Sequence, residues 1–412
     1  MSTFKRNIFL IFILSCFNIY AQNDSTAVKI DANLVRLMKL QNNLTERILR
    51  NENSYTDRKV HFRFIPGMGR NPDYGFSLGA GAAMSFYTSR TDSLLSRSNI
   101  PLQFSCTLKE PFSFKILSSP EFYFNGNRIK LSADIQYHKW LEYYYGVGYS
   151  TNRSISRERG INSYISRLFY FTPTFQVKIG DLSLYGGIKG SILHENIKDP
   201  GSFLISDYHY IESGGTQEGL KSTGIGLGPA ITLDTRDNTY NSTEGVYFNL
   251  ESLFYSTLLG GKAKYSTLTM DYRQYARLGS YKSILAWNVT SNNSFGSEIP
   301  FMRYATIGAI MPFRGYYGYQ YRDKSILVTQ VEYRYMFNIG GPWSILVNRF
   351  GFSLWGGLGF MGKNPIKYEA VLPEAGAGIK IKATRHAIFR FDCGYSTRDN
   401  RFLWYIGMSQ SF

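Results

Sequence analysis

Through most of the chain, apolar residues recur at every second position. The clearest stretch is Ile225, Leu227, Pro229, Ile231 and Leu233, alternating with Gly224, Gly226, Gly228, Ala230, Thr232 and Asp234. Successive side chains of a β-strand point to opposite faces, so this segment has one branched, apolar face and one small, polar face. Leu268, Met270, Tyr272 and Leu278 oppose Thr267, Thr269, Asp271, Arg273 and Arg277 in the same way. Leu327, Val331, Tyr333, Tyr335 and Phe337 oppose Gln330, Glu332 and Arg334. The final stretch sets Phe402, Trp404, Ile406, Met408 and Phe412 against Leu403, Tyr405, Gly407, Ser409 and Ser411.

Read throughout, the pattern predicts an all-β fold of about 16 strands, each near the length that crosses a bilayer. They are expected near 74–88, 99–108, 112–124, 128–138, 141–150, 163–179, 182–194, 222–236, 245–257, 263–279, 281–293, 324–338, 345–360, 373–383, 386–396 and 402–412. The expected architecture is a transmembrane antiparallel up-and-down β-barrel over residues 61–412. Its even strand number places both termini on the periplasmic side. Long connections at 151–162, 195–221, 294–323 and 361–372 then fall outside the cell. Short turns such as Gly180-Asp181, Gly279-Ser280 and Gly340-Gly341-Pro342 fall inside.

The first 60 residues follow other rules. Residues 1–21 combine a basic start (Lys5, Arg6), an apolar run from Ile8 to Leu14 and a small residue, Ala21, before Gln22. That is the layout of a cleaved signal peptide, and the run is too short to span a membrane as a helix. Cys16 after Ser15 raises a lipoprotein alternative that Ile13 and Leu14 fit poorly. In residues 22–60, Ile30, Leu34, Leu37, Leu44 and Ile48 fall at helical spacing, which predicts a short amphipathic periplasmic helix. A disordered leader or a surface-active basic helix is the alternative.

Composition supports a membrane setting. Tyr (32), Phe (30) and Gly (39) are abundant, and only 18% of residues are charged. Aromatic girdles, tight turns and a lipid-facing half that excludes charge account for this. A soluble all-β protein would also favour Tyr and Phe. The net charge of +16 becomes +14 once Lys5 and Arg6 are removed (16 − 2). It points to anionic headgroups of outer-membrane lipids and lipopolysaccharide, or to an anion-favouring lumen, with no nucleic acid as partner. Cys106 and Cys393 lie on the apolar faces of non-adjacent strands and read as small hydrophobes rather than as a disulfide.

Two stretches carry a family resemblance. Gly226-Leu-Gly-Pro-Ala-Ile-Thr-Leu-Asp234-Thr-Arg236-Asp237-Asn238, followed by Ser242-Thr243-Glu244-Gly245, resembles the strand–turn–strand signature of BamA/TamA family outer-membrane proteins, also called bacterial surface antigens. Pro312-Phe313-Arg314-Gly315-Tyr316, leading to Tyr321-Arg322-Asp323-Lys324 and Glu332-Tyr333-Arg334, resembles that family's sixth extracellular loop, which folds into the lumen. Gly376-Ala-Gly378-Ile-Lys380 resembles a further strand motif, with Lys380 where Arg is usual. The resemblance covers residues 62–412 in order.

It implies that Arg314, Gly315 and Tyr316 form the tip of an inward-folded loop. Glu332 is then the first-choice partner of Arg314, with Asp271 and Asp392 as further candidates. A strand carboxylate usual in the family is missing from Phe352-Ser-Leu354-Trp-Gly356-Gly357. Asp234, Arg236, Asp237, Asn238 and Gly245 are the corresponding turn. Local side-chain-to-backbone bonding explains those residue types equally well. The aromatic last strand, with Trp404, Ile406, Met408 and Phe412, resembles the insertion signal read by barrel-assembly machinery. Family members that insert or translocate proteins carry periplasmic POTRA domains. Residues 22–61 are too short to hold one, so the resemblance is to a POTRA-less form.

Catalytic and metal-binding patterns do not stand out. Gly75-Phe76-Ser77-Leu78-Gly79 matches a nucleophile-elbow pattern but falls within an alternating strand, whereas an elbow needs a strand–turn–helix context. His61, His138, His194, His209 and His386 show no metal-ligand spacing. No cofactor, no metal and no enzymatic activity are expected. Three functions remain open. The first is a barrel that assists insertion or translocation of outer-membrane or secreted proteins. The second is an anion-favouring small-solute channel. The third is a structural barrel that anchors a partner lipoprotein.

Overall fold

The computed structural model describes residues 60–412 apart from 90–94, 108–110, 240, 309–312, 341–346, 383–387, 409 and 411. The expected signal peptide and nearly all of the 22–60 segment lie outside the described residues. The alternating stretches form one closed, antiparallel barrel of sixteen strands. In chain order they are β1 Val60–Asn71, β2 Gly75–Phe86, β3 Ser98–Thr107 and β4, which is interrupted, comprising Phe114–Ser118 and Glu121–Phe124. Next come β5 Ile129–Tyr143, β6 Ser163–Lys178, β7 Leu184–Lys198, β8 Leu220–Asp234, β9 Gly245–Tyr255 and β10 Tyr265–Arg277. The last six are β11 Ser283–Phe295, β12 Ser325–Met336, β13 Phe350–Gly362, β14 Ala370–Lys382, β15 Ile388–Ser396 and β16 Arg401–Met408. Each strand pairs with its sequence neighbours, and β1 meets β16 to close the ring.

The alternation decides which side faces out. Leu227, Ile231, Val331, Leu354, Ile379, Phe391, Phe402 and Trp404 are exposed on the outer wall. Glu332, Asp392, Lys380, Gln330 and Asn288 are buried on the inner one. Lipid, not water, is the solvent for that outer face. Cys106 and Cys393 are unpaired and share strand parity with outward-facing Phe104 and Phe391.

Two strand assignments need correction, and they cancel in the count. The first strand is Val60–Asn71, not a segment starting at 74. Val60, Phe62 and Phe64 are exposed while His61 is buried, so the alternation is present. It is cut short at Pro66-Gly67, where the missing N–H is tolerated only at an edge or bulge. Conversely, 128–138 and 141–150 are not two strands. Ile129–Tyr143 is one strand, and Tyr149–Ser154 is a short helix (α1). Trp140 and Glu142 lie inside, on the same parity as His138, so no turn separates them. Every loop after residue 150 therefore keeps its expected rim, while the strands between the two corrections run in the opposite direction.

Loops at the rim opposite the one where the described chain begins and ends are long. They carry α1 and two further short helices, α2 Ser202–Ser206 and α3 Tyr208–Glu212. Tyr144, Tyr164, Ile197, Leu204, Tyr210, Leu220 and Phe301 pack into a buried cluster there. The buried Arg322 guanidinium donates to the Phe301 carbonyl at 2.8 Å beneath it. These loops form a dome over the far rim.

Candidate functional site

The long connection between β11 and β12, residues 296–324, descends into the barrel. A two-residue ladder of Ala305–Thr306 with Arg322–Asp323 ties its two limbs together. Between them Phe313, Tyr316 and Tyr321 are buried against Ile326, Val328, Met361 and Leu372 of the wall. Phe313 and Tyr316 stack with ring centroids 5.4 Å apart. Burial of each such ring contributes roughly 1.5–3 kcal/mol, which opposes the entropy lost in ordering the loop.

At the tip, Arg314 is 3% exposed. Its Nη2 donates to Glu332 Oε2 at 2.7 Å and its Nη1 donates to Asp392 Oδ2 at 3.0 Å. Its guanidinium lies 3.5 Å from the centre of the Trp355 ring. Of the three carboxylates considered from the sequence, Glu332 and Asp392 meet Arg314. Asp271 pairs instead with Arg273, at 2.6 Å. The strand that lacks the family's carboxylate supplies Trp355 in its place, and a planar guanidinium can stack on that face.

Two glycines make this approach possible. A Cβ on Gly394 would stand 2.3 Å from the Arg314 carbonyl oxygen, and one on Gly315 would stand 2.9 Å from Glu374 Cβ. Gly315 N–H donates to Glu374 Oε2 at 2.5 Å, and Gln330 donates to the other oxygen. Tyr316 OH donates to the Pro373 carbonyl at 2.8 Å.

Glu332 is shared. Its Oε1 accepts from Arg334 Nε at 3.0 Å and from Lys380 Nζ at 2.9 Å. Lys380, at the position where the family motif usually has Arg, thus binds the same carboxylate as the loop tip. Sequence reading did not single out Trp355, Glu374 or Gly394. Their only signals were a large aromatic on a Gly-rich strand and a lone Glu and Gly on lumen parity.

Loop six is tied at the far rim as well. Gly318 N–H donates to Asp73 Oδ2 at 2.8 Å in the β1–β2 turn. Gln320 Nε2 and Tyr321 OH donate to Asp399 in the β15–β16 turn, at 2.8 and 2.7 Å. Arg157 also binds Asp73, at 2.9 Å. Burial pushes the Asp73 carboxyl up to about 6, against the pull of Arg157 and the Gly318 N–H. The loop therefore straps together the two hairpins that meet at the β1–β16 junction.

The turn motif is built locally. Arg236 donates through Nε and Nη2 to Asp234, at 2.9 and 2.7 Å. Asp237 accepts from Thr243 N–H at 2.9 Å, Thr243 Oγ1 at 2.6 Å and Glu244 N–H at 3.3 Å. Asn238 accepts from Asn241 N–H at 3.2 Å. Gly245 sits at φ +100°, and a Cβ there would lie 2.4 Å from the Thr235 carbonyl oxygen. Partial burial would raise the Asp237 carboxyl, but these donors and Arg277 hold it below its ordinary value. Its contribution is thus in place above the ordinary carboxylate range near pH 4 and is lost as pH falls through the lowered native value. Hydrogen exchange at the Thr243 and Glu244 amides should show protection that is flat from neutral pH to about 4 and falls below it.

The insertion-signal residues divide. Phe402 and Trp404 face outward on β16. Phe412 does not, because β16 ends at Met408 and Phe412 is buried inside the lumen, clustered with Tyr275 and Ala286. Arg334 Nη2 donates to the Phe412 carbonyl oxygen at 3.0 Å. The sequence did contain a warning: Gln410 falls on the lipid-facing parity, where a continued strand would carry an apolar side chain.

Ser77 lies within β2 and donates to the Gly69 carbonyl oxygen at 3.4 Å, in no elbow-like turn. No cluster of metal-ligating side chains occurs among the described residues.

Residues 68–412 match the family model described as the Omp85 superfamily domain. The fold is similar to that of BamA from Haemophilus ducreyi lacking POTRA domains 1-3, with a TM-score of 0.59 and 14% identity over 94% of this chain and 80% of that one. It is also similar to CdiB from Acinetobacter baumannii, with a TM-score of 0.54 and 12% identity over 85% of this chain and 60% of that one. No curated protein matches the chain.

Proposed function

The chain belongs to the Omp85 superfamily of outer-membrane barrels, and from that premise we propose that it assists insertion or translocation of outer-membrane or secreted proteins by offering the edge of β1 to a client strand. The observation that carries this reading is the seam. Among the described residues β1 and β16 share one registered pair, Arg70↔Ile406, whereas β1 and β2 are in register from Val60↔Phe86 to Asn71↔Gly75. Among the described residues the registered pairing of β1 with β16 is thus far shorter than that with β2, and a weakly paired edge is a template for an added strand. In this reading the weak junction runs along Val60–Asn71. Both ends of the described chain are periplasmic in this reading. Lipid and lipopolysaccharide contact the outer wall, and barrel-assembly machinery receives the protein during biogenesis.

A channel has less support. Lumen cations such as Lys189 and Arg273 are paired with carboxylates, Glu251 at 2.7 Å and Asp271 at 2.6 Å, and loop six occupies the bore. Anchoring of a partner lipoprotein has no observation of its own in its favour.

The test locks the seam. Arg70→Cys with Ile406→Cys places a disulfide at the registered pair, in a background without native cysteines. The locked barrel should reach the outer membrane yet leave the deletion strain's outer-membrane proteome depleted of the same barrels or surface lipoproteins, and reductant should restore them. Full complementation by the locked form would overturn the proposal.

A further inference from the structure

On the outer wall, the apolar rows of four neighbouring strands stop at one level. In β5 the outward positions Ile135 and Tyr137 give way to Lys139, and in β6 Phe171 and Phe169 give way to Arg167. In β7 Ile188 and Ile192 give way to His194 and Asn196, and in β8 Leu227 and Ile225 give way to Thr223 and Lys221. The sheet register then sets the polar positions in a row. Lys139 stands opposite Arg167, Arg167 opposite Asn196, and Asn196 opposite Lys221. With strands about 4.8 Å apart, the row is roughly 14 Å long. Lys262, in the connection from β9 to β10, lies against its end. Its N–H donates to the Thr223 carbonyl at 2.9 Å, and its Nζ donates to the Lys221 carbonyl at 3.1 Å.

Two features separate this row from an ordinary charged rim. The first is that no carboxylate balances it. Lys139, Arg167, Lys221 and Lys262 form no ion pair among the described residues. On the inner wall of the same strands, by contrast, Lys189 binds Glu251 at 2.7 Å and Glu195 binds Arg303 at 2.7 Å. Two cations directly opposite each other, as Lys139 and Arg167 are, destabilise a sheet unless an anion joins them. The second feature is that the row is one-sided. At the same end of β13–β16 the outward strand positions are Phe360, Val371, Tyr395 and Phe402, all uncharged.

We propose that the outer wall over β5–β8 is a binding site for the phosphorylated headgroup of a membrane glycolipid, with Arg167, Lys139, Lys221 and Lys262 as its phosphate ligands. The level is that of the headgroups, because the row begins where the lipid-facing apolar positions end. Phosphate supplies the missing counter-charge, and the Arg167 guanidinium can hold two of its oxygens at once. Asn196 stands between Arg167 and Lys221 with an amide to donate to a neighbouring oxygen. The aromatic and branched positions below the row then lie along the acyl chains. Placing the row in the outer leaflet rests on the periplasmic termini of the proposed function. Binding to the purified barrel does not, and it holds whether or not the protein serves clients.

The test measures lipid binding to the full-length barrel in detergent by native mass spectrometry. The probes are lipid A carrying two phosphates, the same lipid dephosphorylated, and phosphatidylglycerol. The wild type should bind the phosphorylated lipid A about tenfold or more tightly than either of the others, with a preference that weakens as salt rises. Lys139→Gln with Arg167→Gln should abolish most of that preference. Lys363→Gln, which removes an exposed cation from the β13–β14 connection, should leave it within about twofold. The comparison between lipids needs only the wild type, so it stands if the double variant fails to assemble. Equal binding of lipid A with and without phosphate would overturn the site. Equal binding of phosphatidylglycerol would overturn the assignment to a glycolipid, and an undiminished preference in the assembled double variant would overturn the assignment to this row.

Discussion

Glu332→Ala should free loop six and the segment after β16 together, seen as new protease cleavage within residues 296–324 and a lower temperature for loss of the heat-modifiable band. Glu332 is fully buried and binds three cations from three places: Arg314 on the loop tip, Arg334 on its own strand and Lys380 on β14. Without it, Arg314 retains Asp392, a carboxylate that Arg390 also occupies at 2.7 Å. Lys380 retains the Gln410 oxygen and Arg334 the Phe412 carbonyl. Removing one partner of a buried ion pair costs about 3–5 kcal/mol, and most of that is the penalty of the stranded charge. Arg314→Ala should therefore cost less in the Glu332→Ala background than alone, since the second change removes a charge the first left with only a carboxylate shared with Arg390. A transition and a cleavage pattern identical to the wild type would exclude Glu332 as the anchor of the loop.

The second large effect is expected on the opposite face of the barrel. Trp404→Arg should sharply reduce the heat-modifiable protein recovered in outer-membrane fractions, whereas Trp404→Phe should not. Trp404 is 59% exposed, faces away from the lumen and pairs with Cys393 of β15. A cation on the lipid face costs about 2–4 kcal/mol at the bilayer midplane and roughly 0–1 near the headgroups. The size of the loss thus also reports how deep Trp404 lies. Normal assembly of the Arg variant would place residue 404 outside the hydrocarbon layer.

The barrel itself was legible from the sequence because a period of two is imposed residue by residue. Each lipid-facing position must be apolar, so Leu227, Val331 and Trp404 announce their side without reference to any distant contact. The glycine and the carboxylates of the 234–245 turn were legible for the same reason, since their bonds run within a dozen residues. The pattern failed where a local feature blurred it. Pro66-Gly67 hid the first strand, and Lys139 on the lipid parity split one strand into two.

What only the tertiary structure decided is where residues distant in sequence converge. Nothing near Arg314 in the chain says that Trp355, Glu374 and Gly394 will surround it, or that Lys380 will share its carboxylate, because those neighbours arrive from three other strands once the ring has closed. Phe412 is the sharpest case. By alternation it belongs on the lipid face, and the local sign against that is Gln410 two residues earlier on the same parity. A buried recess between Tyr275 and Ala286, with Arg334 above it, competes with lipid for the same ring, and that competitor exists only after β10, β11 and β12 stand side by side.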